Sequence, residues 1–300
     1  MTEADFLAAL RTLSLHPGAQ GLADDVARLG DLVLTTDTLV EGVHFLSSDP
    51  AGDVAWKLIA VNLSDLAAKG AEPVGVLLNY PLSDDAWDAG FLCGLGEVLA
   101  AHGCALLGGD TVSLPPGAAR VLSATAIGAL GPANPARGRA QAGDRLYVTG
   151  PIGDAGAGLA IAQGAVGPDA LLAAYRRPVP LIAQGRALAS IVNAMMDVSD
   201  GVLIDAARMA AASGLAVTVD LALIPLSKAY RAQCGDDRAA RLAAATAGDD
   251  YQLLFAAAPD TPLPVAAQVI GRFAGGAGLS LIEGGAPVTV PDRLGFEHRC

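Results

Sequence analysis

Lysine is almost missing from this 300-residue chain: Lys57, Lys69 and Lys228 are the only ones. Lysine and arginine together number 19 against 31 aspartates and glutamates, a net charge of −12. Such a surface repels nucleic acid and anionic membrane. It also sets a condition: if the chain binds phosphates, metal ions must supply much of the positive charge. Cysteine is equally sparse, with Cys93, Cys104, Cys234 and Cys300 scattered and no C-x-x-C pair. That argues against a disulfide framework or a zinc site, and a reducing cytoplasm is the simplest home. Aromatic residues make up 4% of the chain, so the core is built from Ala, Val and Leu with many glycines. No apolar run approaches the ~20 residues a membrane span needs. The N-terminus carries Glu3 and Asp5, where a secretory signal would be basic. G-x-x-x-x-G-K-[ST] does not occur, which excludes a P-loop.

What is present is 52% hydrophobic and 17% charged, enough to bury a large core or two ordinary ones, and it points to α/β or α+β. Residues 3–13 read as a short amphipathic helix and 32–36 as a strand. Asp53 to Gly70 reads as a helix, with Asp53 as N-cap and Gly70 as stop. Val74–Tyr80 is a predicted strand. A helix follows from a Ser83 cap to Gly103, with Asp84 and Asp85 in its first turn. Cys104–Leu107 is a predicted strand that delivers Gly108-Gly109-Asp110-Thr111 in a turn, and Val121–Leu130 another. GPANPARGRAQAGD, from Gly131 to Asp144, has little apolar periodicity and reads as the connection between two domains, 1–136 and 137–300. Beyond it, RLYVTG, AMMDVSD, YQLLFAA, VIGRF and LSLIEGG read as strands. PIGDAGAGLAIAQ, Leu181–Ser190 and VLIDAARMAAAS read as helices.

Several segments share one logic: an apolar element leads to carboxylates and small hydroxyls. They are Ala23-Asp24-Asp25, Thr35–Thr38, Asn62–Ala71, Gly108–Thr111 and Asp197–Gly201. Hard oxygen ligands without thiolate or paired imidazole favour Mg²⁺ or Mn²⁺ over Zn²⁺. Any one of the Gly–Asp pairs is more often a turn. Asp65 is different. Its neighbours Leu63, Leu66 and Ala67 want burial, and a buried carboxylate needs a cation or donors. The alternative is an exposed polar stripe of Ser64, Asp65 and Lys69. TGPIGDAGAGLA is not G-x-G-x-x-G, and a tight turn packing a helix on a sheet explains its glycines better than a nucleotide cradle.

The motifs TTDTLVEGVHF, AVNLSDLAAKGAEP, LLGGDT, YVTGPIGDAGAGLA, MDVSDGVLIDAARMAAASG and AGDDYQLLF follow one another in an order that closely resembles the thiamine-monophosphate kinase family. That family lies within the aminoimidazole ribonucleotide synthetase-like superfamily. The resemblance runs from about Ala23 to Phe296. It implies an α+β fold of two α/β-layered domains: an N-terminal sheet domain that binds ATP and magnesium and dimerises, and a C-terminal α/β domain. It implies phosphorylation of thiamine monophosphate by ATP with several Mg²⁺ ions, in a cytoplasmic homodimer. By the same resemblance Asp25, Thr35, Thr36, Asp37, Asp65, Asp110, Asp197 and Asp200 would bind Mg²⁺. Gly109, Asp110, Arg137 and Ser199 would lie against ATP, and His44, Asp249 and Phe296 against the substrate. Ala23 stands where the family has the glycine of G-D-D. Asp249 stands where it has glutamate, one methylene longer. Two rivals remain open at this stage. One is a hydrogenase-maturation dehydratase-like enzyme, suggested by the terminal Cys300. The other is a non-catalytic module that binds metal or nucleotide.

Overall fold

The structure, a computed structural model, describes residues 2–298; Cys300 lies outside them. Two sheets organise the chain. The first contains β1 (Ala27–Leu29), β2 (Leu32–Val40), β3 (Glu72–Leu82), β4 (Ala105–Ser113) and β5 (Val121–Ala129), in the order β1-β2-β5-β3-β4. Only β3 and β4 run parallel within it. After α1 (Glu3–Leu10), the helices of this half are α2 (Ala51–Ala68) and α3 (Asp85–His102). They cover one face. Alternation along the strands sends Val33, Leu39, Val76, Leu122, Ala124 and Ala126 into a core shared with Leu58, Leu63, Phe91 and Leu95 of the helices. The same alternation sends Leu32, Leu77, Leu107, Val112 and Val121 to the opposite face, where all are exposed.

The second sheet has seven strands: β6 (Arg145–Val148), β7 (Ala194–Asp197), β8 (Leu215–Asp220), β9 (Leu253–Ala257), β10 (Gln268–Gly275), β11 (Gly278–Glu283) and β12 (Ala286–Val288), in the order β12-β11-β8-β10-β6-β9-β7. Its helices are α4 (Asp154–Ala162), α5 (Asp169–Arg176), α6 (Ile182–Leu188), α7 (Val202–Ala212), α8 (Lys228–Cys234) and α9 (Arg238–Ala245). On one face Leu146, Met196 and Leu254 pack against Val202, Ala206 and Met209 of α7. On the other, Tyr147, Met195 and Phe255 pack against Leu188 of α6 and Ala67 and Ala68 of α2. So α2 belongs to both halves. Gly185 is obligatory at that junction: a Cβ there would stand 1.9 Å from the carbonyl oxygen of Ala67.

Three local expectations need correcting. Helix α3 is capped by Asp84, whose side chain accepts from Trp87 N–H, not by Ser83. Helix α2 starts after Pro50, and Asp53 lies inside its first turn, ion-paired with Arg177. Gly108–Thr111 is no turn but part of β4. Gly109 has a φ of +153°, and its missing side chain lets the β3 backbone close in, since a Cβ would meet Leu78 O at 1.8 Å.

Candidate active site

Strand β2 turns Thr35 and Asp37 toward the helices and Thr36 and Thr38 toward the open sheet face. Helix α2 brings Ser64 and Asp65 to the same place from its last turns, and Lys69 as its C-cap. Strand β7 ends in Asp197, and the Ser199-Asp200-Gly201 turn leads into α7; Gly201 makes that turn with a φ of +127°. The segment before β1 adds Asp24 and Asp25, and the connection between the sheets adds Arg137. These elements border a cleft of about 1500 Å³ lined by Asp25, Thr35, Thr36, Asp37, Asp65, Arg137, Ser199, Asp200 and Arg208.

The carboxylates are crowded and partly neutralised by the chain's own cations. Lys69 is fully buried and pairs with Asp24 and, at 3.0 Å, with Asp25. Arg137 pairs with the other oxygen of Asp25. Thr35 donates to Asp65, and Ser64 donates to Asp197 at 2.5 Å. Arg208 pairs with Asp200 and, at 3.1 Å, with the buried Asp205. Asp205 in turn accepts from the N–H groups of Asp200 and Gly201 and so fixes the turn. Burial, reinforced by Asp200, pushes Asp37 up to about 6. Burial also pushes Asp197 up to about 6, with Asp37 contributing, and Asp205 up to about 7, with Asp200 contributing. Asp65 is raised well above the carboxylate range by burial and by Asp37 and Asp197. Mutual repulsion thus runs through one connected group drawn from both sheets.

A second cluster lies beyond β2. His44 accepts from Val40 N–H through Nδ1 at 3.0 Å, which assigns its proton to Nε2. Burial, His298 and Lys57 lower its pKa, so the ring is neutral at pH 7 and offers a donor. Phe296 is half-buried outside every apolar core, with its ring 6.4 Å from that of His44. Lys57, 2% exposed, reaches Asp249 Oδ2 at 2.7 Å and His44 O at 3.1 Å, and lies over the Tyr175 ring. Tyr251 donates to Asp249 Oδ1 at 3.0 Å. Asp249 has a φ of +62° and donates its N–H to Ser199 O at 2.7 Å, which ties this cluster to the first.

The cleft gathers Asp25, Thr35, Thr36, Asp37, Asp65, Arg137, Ser199 and Asp200, with Asp197 bonded beneath it to Ser64. Gly109 and Asp110 stand apart. They lie on β4, separated from β2 by β5 and β3, roughly 14 Å at ~4.8 Å per strand. In register across the open face run Thr38, Ser123, Asn79 and Asp110. Residues that sequence reasoning did not single out are Lys57, Lys69, Arg208, Asp205 and Tyr251. The rarity of lysine was the available signal: two of the chain's three lysines are buried against carboxylates.

Among the described residues, no three His, Cys, Asp or Glu side chains form a ready-made metal ligand set. The fit is nevertheless good. Asp24 Oδ2 and Asp25 Oδ2 are buried without a hydrogen-bond partner, although Asp25 Oδ2 lies within ion-pair distance of Lys69. The donors are all hard oxygens, and burial together with neighbouring carboxylates raises Asp37 and Asp197.

Comparison with known proteins shows the family to which the chain is related. The family models "AIR synthase related protein, N-terminal domain" and "C-terminal domain" match residues 23–130 and 141–283. The thiamine-monophosphate kinase of Caulobacter vibrioides is 41% identical, covering 99% of this chain and 91% of its own. That of Escherichia coli is 38% identical over 93% and 91%. A solved structure of AaThiL complexed with AMPPCP and TMP superposes with a TM-score of 0.86 at 29% identity, over 99% of this chain and 97% of that one. Hydrogenase maturation protein HypE in complex with ATP, at 20% identity and a TM-score of 0.70 over 93% and 91%, shares the fold alone.

Proposed function

The chain belongs to the AIR synthase related family, in its thiamine-monophosphate kinase branch, and we infer from that membership and from the site that it phosphorylates thiamine monophosphate with ATP. A terminal phosphate oxygen of thiamine monophosphate attacks the γ-phosphorus in line. The bond to the β,γ-bridging oxygen breaks, leaving thiamine diphosphate and ADP. The observation that carries this reading is the convergence of Asp25, Asp37, Asp65 and Asp200, from both halves of the chain, on one cleft with Arg137 at its edge and Asp197 beneath it.

Phosphoryl transfer asks little covalent work of a protein; alignment and charge neutralisation supply most of the rate. Asp25, Asp37, Asp65, Asp197 and Asp200, with the oxygens of Thr35 and Thr36, would hold Mg²⁺, which supplies charge neutralisation between carboxylates and phosphates. Arg137 is poised to exchange Asp25 for a phosphate, and Ser199 lies on the same wall. His44 offers its Nε2 proton at the substrate end. Asp249, held by Lys57 and Tyr251, and the half-exposed Phe296 ring suit the cationic heterocycle of the substrate.

The same reading makes the protein a homodimer through the first sheet, with residues 1–136 the ATP, metal and dimerisation domain. Leu32, Leu77, Leu107, Val112 and Val121 form an open apolar face around the polar row that ends in Asp110. A second copy on that face would bring its Gly109 and Asp110 to the cleft, which they do not reach within one chain. Free Cys93, Cys104 and Cys234 suit a cytoplasmic site. Among the described residues no helix is long and apolar enough to cross a membrane. The deciding experiment is ADP formation from ATP and Mg²⁺, measured with and without thiamine monophosphate. Turnover that ignores thiamine monophosphate would overturn the reading.

A further inference from the structure

Lys69 sits where a metal-binding cluster should least tolerate a cation. It follows the last turn of α2, is fully buried, and donates to Met195 O at 3.2 Å as well as pairing with Asp24 and Asp25. Its charge is also felt by Asp65 and Asp197, both of which it draws downward against the stronger effect of burial. An ammonium gives up much hydration on burial, and carboxylates repay that only at close range. A mere tie between the halves would saturate its partners. Here it does not: Asp24, with a side chain 5% exposed, keeps one oxygen unpartnered, and Asp25 Oδ2 has no aligned donor. Both residues line the cleft.

We propose that Lys69 is a resident cation of the cluster, standing in for part of the divalent charge and assembling the Asp24–Asp25 end before any metal binds. The inference rests on reading the cleft as a magnesium site. Asp24 and Asp25 bring two carboxylates to Lys69, and Asp25 also meets Arg137. Two fixed cations match them at this end. Without Lys69 one carboxylate charge goes unmatched, and a further ion is called for. The residue is a positioning residue: it holds Asp25 in place and sets how many ions the pocket takes.

Binding of Mn²⁺, followed by electron paramagnetic resonance without nucleotide, tests this apart from catalysis. Lys69→Met should bind one Mn²⁺ more than the unaltered protein, or bind its Mn²⁺ at least about tenfold tighter, because a neighbouring unit charge is gone. Its melting temperature should fall in chelator and recover on adding Mg²⁺ by more than the unaltered protein gains. Unchanged Mn²⁺ stoichiometry and affinity, with a melting loss that Mg²⁺ does not recover, would make Lys69 a strut and overturn the proposal. Should Lys69→Met fail to fold, Lys69→Met/Asp24→Asn decides, since it removes one charge of each sign. Folding of the double variant in chelator with the unaltered Mn²⁺ count supports the proposal, and equal damage in both variants refutes it. Absence of Mn²⁺ binding to the unaltered protein would instead refute the magnesium reading itself, and the proposal with it.

Discussion

Removing a proposed metal ligand should make the metal-free protein more stable. Asp37 is the case to test, because its carboxyl is pushed up to about 6 by burial and then by Asp200. The unfolded value is near 3.9. The folded state therefore binds the proton more tightly than the unfolded chain. Ionised Asp37 opposes folding above about pH 6, and that cost fades as pH falls through 6 toward 4. A difference of about two units at ~1.4 kcal/mol each sets an upper bound of roughly 3 kcal/mol at pH 8. Asp37→Asn keeps the shape and removes the charge. At roughly 2 °C per kcal/mol for a chain of this size, melting in EDTA at pH 8 should rise by about 2–6 °C. At pH 5 the gain should fall to about half, and toward pH 4 it should fade further. Turnover with Mg²⁺, ATP and thiamine monophosphate should meanwhile drop by about 10²–10³, the scale of losing one group that stabilises transition-state charge. Thermal scans at the two pH values and a coupled ADP assay are sufficient. A melting temperature at or below that of the unaltered protein at pH 8, or near-normal turnover at saturating Mg²⁺, would refute the reasoning.

Mg²⁺ should compete with protons: because Asp37 and Asp197 both titrate near 6, the Mg²⁺-induced rise in melting temperature should shrink between pH 7.5 and 5.5, and a constant rise would contradict it. Lys57→Met strips the one-third-exposed Asp249 of its buried partner and should cost about 1–2 kcal/mol in stability, while raising KM for thiamine monophosphate more than KM for ATP; equal changes in the two KM values would place Lys57 outside the substrate end. Phe296→Ala should raise KM for thiamine monophosphate by up to about tenfold, the worth of one aromatic stacking contact, with KM for ATP and melting nearly unchanged; a loss of many degrees with KM intact would assign the ring to packing. Mixing inactive Asp37→Asn and Asp110→Asn proteins should restore about a quarter of normal activity, because a mixed twofold dimer regains one intact site; mixtures that stay inactive would mean that Asp110 does not act across the interface.

The strands that build the site were the most legible part of the sequence, for apolar runs mark the first half of β2, most of β3 and all of β5, although β2 runs on through Asp37 to Val40. Asp65 was legible for another reason: an apolar helix does not carry a carboxylate inward without a partner. Lys69 was not, because it looks like part of an exposed stripe until Asp24 and Asp25 arrive from more than forty residues earlier. Gly108-Gly109 reads as a turn by composition, yet Gly109 serves a close strand approach that only the neighbouring strand reveals. Helices α5, α8 and α9 went unread. Each is seven or eight residues long, too short for its periodicity to stand out. Strand β8 also went unread, although LAVTVD alternates as a strand should.

Helix α2 has a meaning for how this protein can be divided. Its Leu58 and Leu63 belong to the first core, and its Ala67 and Ala68 to the second. The boundary between the two family models, at residues 130–141, is therefore a seam in ancestry and not in mechanics. Cutting the gene there would leave the first fragment with the end of α2 bare, and the second with Tyr147, Met195 and Phe255 uncovered. Neither fragment would be a self-sufficient product. Any dissection of the protein has to keep α2 with both halves, since each core draws residues from it.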